Sequence, residues 1–302
     1  MGINQVTVKQ KLSTLTRHPG SLFMLVVTIL AAVITIGSLG FLVLYILING
    51  VPHLKPELFE WTYNSENVSM MPAIINTILM VLLTLLVAVP LGVFAAIYLV
   101  EYAKTGNKLV QIVRVTAETL TGIPSIVYGL FGMLFFVGYC NWGYSLLSGS
   151  LTLAIMVLPV IMRTTEEALM AVPQSFREGS FGLGAGKLRT VFVVVLPSAI
   201  PGILSGVILA TGRIVGESAA VIYTAGTMAK VPSNIFSSVR TLAVHMYRLS
   251  NEGLHTDSAF ATAVVLLIVV IGINMLSNVV ARKLTKKYIQ FRKEHVQWMI
   301  RQ

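Results

Sequence analysis

Of the 302 residues, 55% are hydrophobic and only 11% are charged, whereas a soluble domain carries roughly 25% charged side chains. So few ionisable groups cannot clothe a water-facing surface, which excludes an ordinary soluble enzyme and any disordered or collagen-like chain. The length leaves room for about five to seven helical membrane spans of roughly 20 residues with their loops. The net charge is +10 and the single cysteine, Cys140, excludes a disulfide within the chain.

Residues 1–20 form a basic, polar arm with Lys9, Lys11 and Arg17 and no acid. A charge-free run from Ser21 to Asn49 follows, too long for the core of a signal peptide. The second apolar run spans Ala73 to Val100, interrupted by Pro90 and Gly92. The third lies between Val115 and Tyr139 and contains Glu118, Gly122 and Pro124. The fourth is Leu146 to Met162, the fifth Ile200 to Ala225 and the sixth Ala259 to Ala281. Only helices or closed barrels satisfy the backbone in lipid, and continuous apolar runs are helical rather than alternating barrel strands. The expected fold is an all-α integral membrane protein with six transmembrane helices over residues 21–281. A basic tail follows at 282–302.

The loops orient the bundle. Seventeen of the 22 basic residues fall in the N-terminal arm, in the loop with Lys104, Lys108 and Arg114, in the loop that starts at Arg163, and in the tail. Lys55, Lys230, Arg240 and Arg248 fall on the opposite side. The positive-inside bias predicts both termini in the cytoplasm and an outer loop at 226–258. The charge marks orientation and not nucleic-acid binding. Trp61, Tyr63, Trp142 and Tyr144 suit an interfacial aromatic belt.

Gly182 to Lys187 resembles a phosphate-cradling loop, but Phe181 stands where its first glycine is needed and Leu188 where Ser or Thr would hold magnesium. The five histidines show no metal-ligand spacing, and no nucleophile–base set is present. If the chain moves something uphill, the energy comes from elsewhere, and no cofactor is expected on it.

The loop 163–197 is the informative one. After Val172-Pro173 comes a short amphipathic stretch with Phe176, Ser180 and Leu183 at helical spacing. A glycine-rich turn follows, in which Gly184 or Gly186 can take positive φ. Leu196-Pro197 then restarts the chain as the next span. Such a knob is either a plain membrane-surface helix or a docking element. Glu178-Gly179-Ser180, Gly184 and Val194-Val195-Leu196-Pro197 keep the spacing of the Glu-Ala-Ala signature, and the loop is similar to that of permease subunits in ATP-binding-cassette importers. Gly179 and Ser180 replace the two alanines, and Val194 replaces an isoleucine. The resemblance implies the type I importer permease fold, with a coupling helix docked on an ATPase subunit. Glu178, Gly179, Ser180, Gly184, Leu196 and Pro197 would carry that coupling.

Span five holds Arg213 and Glu217. A charge at that depth costs roughly 2.5–3.5 kcal/mol on insertion scales, so it marks an ion path by default. Four residues apart on one helical face, the two can pair. They are either a structural ion pair or an anion site, since a guanidinium matches phosphate or sulfate oxygens in a fork. Arg163, at the inner end of span four, is a second candidate for the substrate path, or an ordinary positive-inside anchor.

Thr121 to Gly132, Gly212 to Ala220 and Thr241 to Tyr247 resemble the phosphate-specific permeases of bacteria, and within them the A subunit. The likeness runs from about Gly20 to Arg292. It implies a homologous permease (PstC-like), a pair of ATPase subunits (PstB-like) carrying ATP and magnesium, an external phosphate-binding protein (PstS-like), and inorganic phosphate as substrate. Arg213, Glu217 and Arg163 match positions used for phosphate passage, and the outer loop with Lys230, Arg240 and Arg248 would help dock the binding protein. A permease for sulfate, molybdate or phosphonate shares the loop signature. A secondary transporter would lack it and tend to show inverted repeats.

Overall fold

The computed structural model describes residues 19–300 except Thr105 and Leu254, with side chains from Gly20 to Val279 and that of Lys283. The basic arm expected at 1–20 lies outside the described residues but for Pro19 and Gly20. So do the side chains of the tail at 282–302, Lys283 apart.

All regular structure among the described residues is helical. The elements are α1 (Pro19–Gly50), α2 (Met71–Ile97), α3 (Lys108–Thr121), α4 (Ser125–Gly132), α5 (Leu146–Met170), α6 (Gln174–Gly182), α7 (Lys187–Thr190), α8 (Leu196–Gly216), α9 (Ala219–Thr224), α10 (Leu242–Glu252) and α11 (Thr256–Ile300). Three π turns extend the set, at Tyr98–Tyr102 after α2, Met133–Tyr139 after α4 and Val191–Val195 between α7 and α8. Among the described residues, five helices are long and apolar enough to cross a membrane, or six if the bent pair α3 and α4 counts as one span.

The spans differ from the apolar runs at three places. The third is broken: α3 and the arm Ser125–Tyr139 meet at 104°. Pro124 cannot continue a helix and disfavours helical geometry at Ile123. The phenol of Tyr128 donates to the Leu120 carbonyl at 2.8 Å, so a carbonyl freed at the end of α3 is satisfied across the break. The fourth span continues to Met170, well past Met162. Thr164 to Met170 is rich in good helix formers, so the helix outlasts its apolar run. Arg163 therefore sits on a helix and not at the start of a loop. The fifth span starts at Lys187, ahead of Leu196-Pro197, and its π turn falls where Pro197 forbids a regular hydrogen bond.

The centre of the bundle is α2 on α5 and α5 on α8. Met80, Leu153, Met156, Val157, Ile161 and Ala210 lie in its buried cluster. Small residues set the approach: a Cβ on Gly202 would lie 2.5 Å from that of Ala168, and one on Gly206 would lie 2.7 Å from the Thr164 Cβ. In lipid, where there is no hydrophobic drive between helices, such close contacts carry the association. The helix α1 packs on α11 near Gly50 and Tyr45, and its flanks are otherwise exposed apolar surface.

A cap closes one end of the bundle. The Asn76 amide donates to the carbonyls of Lys230 and Arg240, Leu242 N–H donates to Thr77 Oγ1, and Leu146 N–H donates to Ser237 O. The knob α6 stands at the other end.

Candidate functional site

Two regions hold the residues that the sequence singles out. The first is the end of span five. The helices α5 and α8 are antiparallel, with Gly202 on Ala168 and Gly206 on Thr164. About two turns further along α8, that register brings Arg213 near the level of Val157, midway along α5. Arg213 lies in the last turn of α8, where the carbonyl end of the helix favours a cation. It is half-buried.

The expected Arg213–Glu217 pair does not form. The helix stops at Gly216, and Glu217 is extended at φ −77° and ψ 123°. Its carboxylate accepts from Ala220 N–H at 3.1 Å, serving as an acceptor for the first turn of α9. Four-residue spacing puts two side chains on one face only if the helix runs through both. Among the described residues Arg213 has no ion pair. The returning helix α9 is wedged deep against α4: a Cβ on Gly129 would lie 2.9 Å from Ala220 Cα, and one on Gly132 2.7 Å from Thr224 Cγ2. Span five is thus a helix, a break at Glu217-Ser218 and a short second helix, with Arg213 in the last turn before the break and Glu217 within it.

Arg163 is differently placed. Its Nε donates to Glu167 Oε1 at 3.2 Å, and its Nη1 lies 3.6 Å from Glu118 Oε1. Arg114 pairs with Glu166 beside it. These ion pairs tie α3 to the end of α5 around a cavity of about 260 Å³, lined by Glu118, Pro159, Arg163 and Glu167 among others. Arg163 already has two acidic partners, unlike Arg213.

The second region is the knob. Gly184 takes φ +80° while Gly186 is at φ −72°, so Gly184 is the left-handed residue that ends α6. Phe176, Glu178 and Phe181 are exposed, and Leu183 is 91% exposed. Glu178 makes no ion pair among the described residues. Ser180 Oγ is 2.8 Å from Thr190 Oγ1, binding α6 to the start of span five. Leu196 and Pro197 open α8 behind the π turn.

Sequence reasoning missed the residues that hold this knob. Arg177, taken only as an orienting charge, is nearly buried. It pairs with Glu101 at 2.7 Å and donates to the carbonyls of Leu169 and Val172. The one available signal was Glu101 itself, a lone acid at the end of an apolar run.

On the cap, Arg240 is 8% exposed and cannot serve as a docking charge. Its Nε donates to Thr227 O at 2.8 Å and its Nη1 to His245 Nδ1 at 3.3 Å, and it lies over the Tyr63 ring. His245 therefore donates from Nε2 to Val68 O, at 3.2 Å. Tyr63 packs on His245 and Trp142 stacks on Phe136, so both rings build the cap and not a belt. Lys230 is exposed, and Arg248 pairs with Glu252.

Residues 88–290 match the family described as binding-protein-dependent transport system inner membrane component. The chain belongs to that family. It is 37% identical over 264 residues to the probable ABC transporter permease protein YqgI of Bacillus subtilis (strain 168), an alignment covering 80% of this chain and 89% of that one. It is 34% identical over 206 residues to the phosphate transport system permease protein PstA of Mycobacterium leprae (strain TN), covering 67% of each. The fold is shared with the crystal structure of a bacterial alginate ABC transporter in complex with an alginate pentasaccharide-bound periplasmic protein. The TM-score there is 0.64 at 17% identity, over 91% of this chain and 98% of that one. The chain is thus a multi-pass inner membrane permease subunit of an ABC importer, and such a permease works with a partner permease, an ATPase and a binding protein.

Proposed function

We propose that this permease carries inorganic phosphate, forming half of the path with a homologous permease while an ATPase pair binds ATP and magnesium below. Both termini then lie in the cytoplasm, and the cap faces the phosphate-binding protein. The observation that carries the reading is Arg213: a half-buried guanidinium at mid-bundle depth, with no carboxylate on it among the described residues. A cation so placed needs an anion, and the planar fork of arginine fits an oxyanion in two parallel hydrogen bonds. Relatives of PstA name, at 34% and 33% identity, support phosphate over other oxyanions.

Mechanistically, the broken span gives the charge its position. The Ala220 N–H holds the Glu217 carboxylate, which leaves the guanidinium open to a passing dianion. Arg163 lies nearer the knob end, and Glu118 and Glu167 must release it before it can receive the anion. The knob α6, with Glu178 and Gly184 at its tip, is the coupling helix that docks on the ATPase. Closure of the nucleotide sites pushes it and tilts spans three to five. The test is uptake of labelled phosphate by vesicles holding all the subunits, with sulfate, molybdate and phosphonate as competitors. Phosphate uptake that resists these competitors supports the reading, and equal inhibition by sulfate removes the phosphate assignment.

A further inference from the structure

The knob is fastened to the bundle through one nearly buried cation. Arg177 sits on α6 and is 11% exposed, and Glu101, at the end of span two, is 8% exposed. The guanidinium meets Glu101 Oε1 with Nε at 3.1 Å and Nη2 at 2.7 Å. The same group donates to Leu169 O at 2.9 Å and Val172 O at 2.8 Å, where span four ends. Those carbonyls lie in the last turn of span four and two residues past its end, where a helix runs short of internal donors, and Leu169 O also takes the Val172 N–H at 3.3 Å. One planar side chain thus pins three elements: the knob, the end of span two and the end of span four.

Local geometry serves this joint. A π turn closes span two, with Ala103 N–H on Tyr98 O at 2.9 Å, and such turns are frequent at functional sites. The turn presents Glu101 to α6. Beside it, Lys187 at the start of span five lies 5.2 Å above the Tyr102 ring, a link from span five to the same end of span two. The exposed tip of the knob makes none of these contacts. Docking surface and joint are therefore separate groups of residues on one short helix.

We infer that Arg177 and Glu101 are positioning residues of the coupling step, the joint through which displacement of α6 reaches spans two and four. This rests on the reading of α6 as the coupling helix. A lysine could match the charge but not the four hydrogen bonds, because an ammonium has three donors on one nitrogen and no planar fork. Residues acting through one joint are also non-additive when removed together.

The test uses the complete assembly of both permeases, ATPase and binding protein in vesicles. It compares Arg177→Gln, Arg177→Lys, Glu101→Gln and the Arg177→Gln/Glu101→Gln double variant. Phosphate uptake, ATP hydrolysis and co-purified ATPase are measured together. The expected result is wild-type ATPase binding with uptake per ATP lowered about tenfold in Arg177→Gln. Arg177→Lys should lie between it and wild type, and the double variant should be no worse than the worse single one. If Arg177→Gln fails to assemble, Glu101→Gln, which keeps an acceptor oxygen, carries the same measurement. Unchanged uptake per ATP in an assembled variant of either residue overturns the joint while leaving the docking reading intact. Gly184→Trp separates the two: if it retains both ATPase and uptake, the docking reading fails first, and the joint falls with it.

Discussion

Glu217 Oε1 accepts a hydrogen bond from Ala220 N–H at 3.1 Å, and its carboxylate is thereby aimed at the start of α9 and away from Arg213. The relationship separates two roles that four-residue spacing would merge. If Glu217 caps the helix, Glu217→Gln keeps an acceptor oxygen and leaves phosphate uptake close to wild type. Glu217→Ala removes the acceptor and costs about 1 kcal/mol of stability, read as a lower melting temperature of the purified assembly. A loss of uptake in the glutamine variant would instead make the charge itself the functional element.

Gly184 offers a second measurement. Its φ of +80° lies where an L side chain is strained, yet a Cβ there would meet nothing within 4 Å. Gly184→Ala should therefore destabilise the turn by about 1–2 kcal/mol through conformation alone. Gly186→Ala, at φ −72°, should be near neutral. Comparing ATPase co-purification and protease sensitivity of the knob in the two variants checks this. Equal behaviour would show that the left-handed turn does not matter.

Helix packing gives a compensating pair. Gly202→Ala puts a methyl 2.5 Å from the Ala168 Cβ, and once that Cβ is gone the nearest atom is Ala168 Cα at 3.4 Å. Gly202→Ala alone should lower the melting temperature of the detergent-solubilised protein. Adding Ala168→Gly should restore most of it, short of the roughly 1 kcal/mol that a glycine costs inside a helix. No recovery in the double variant would mean that these two positions are not in contact.

The cap carries a pH dependence. Burial, and then the Arg240 charge, push the His245 pKa from 6.5 down to about 4, against smaller upward pulls from its bond to Val68 and from Glu252. The fold therefore favours the neutral ring. Its contribution is complete above pH 6.5 and is lost as pH falls towards 4, on the order of 3 kcal/mol in all. Thermal unfolding of the wild type should weaken between pH 7 and pH 4.5 more than that of His245→Gln. Parallel curves would contradict it.

How far the sequence announced all this depends on how local each signal is. Apolar runs marked every span because the lipid requirement is written residue by residue. They misplaced the ends of α5 and of the fifth span, since a helix keeps its hydrogen bonds after its side chains turn polar. Span three was read as one run although Gly122 and Pro124 stand at its break, because the 104° bend depends on how α3 and α4 pack elsewhere. The left-handed turn was legible to within Gly184 or Gly186, because a glycine-rich turn needs positive φ somewhere, and the structure puts it at Gly184. The Arg177–Glu101 joint was not, because its partners stand 76 residues apart and share no periodic pattern. Arg240 looked like a surface charge because composition cannot reveal that Tyr63, His245 and a loop carbonyl surround it.

The reading of Arg213 as the oxyanion site is tested most directly by phosphate uptake into vesicles containing the assembled importer with Arg213→Gln. Removing the charge should lower uptake at least tenfold, while the ATPase stays bound and the melting temperature holds within a few degrees. Arg213→Lys should recover only part of the rate. Wild-type uptake by the glutamine variant would contradict the account.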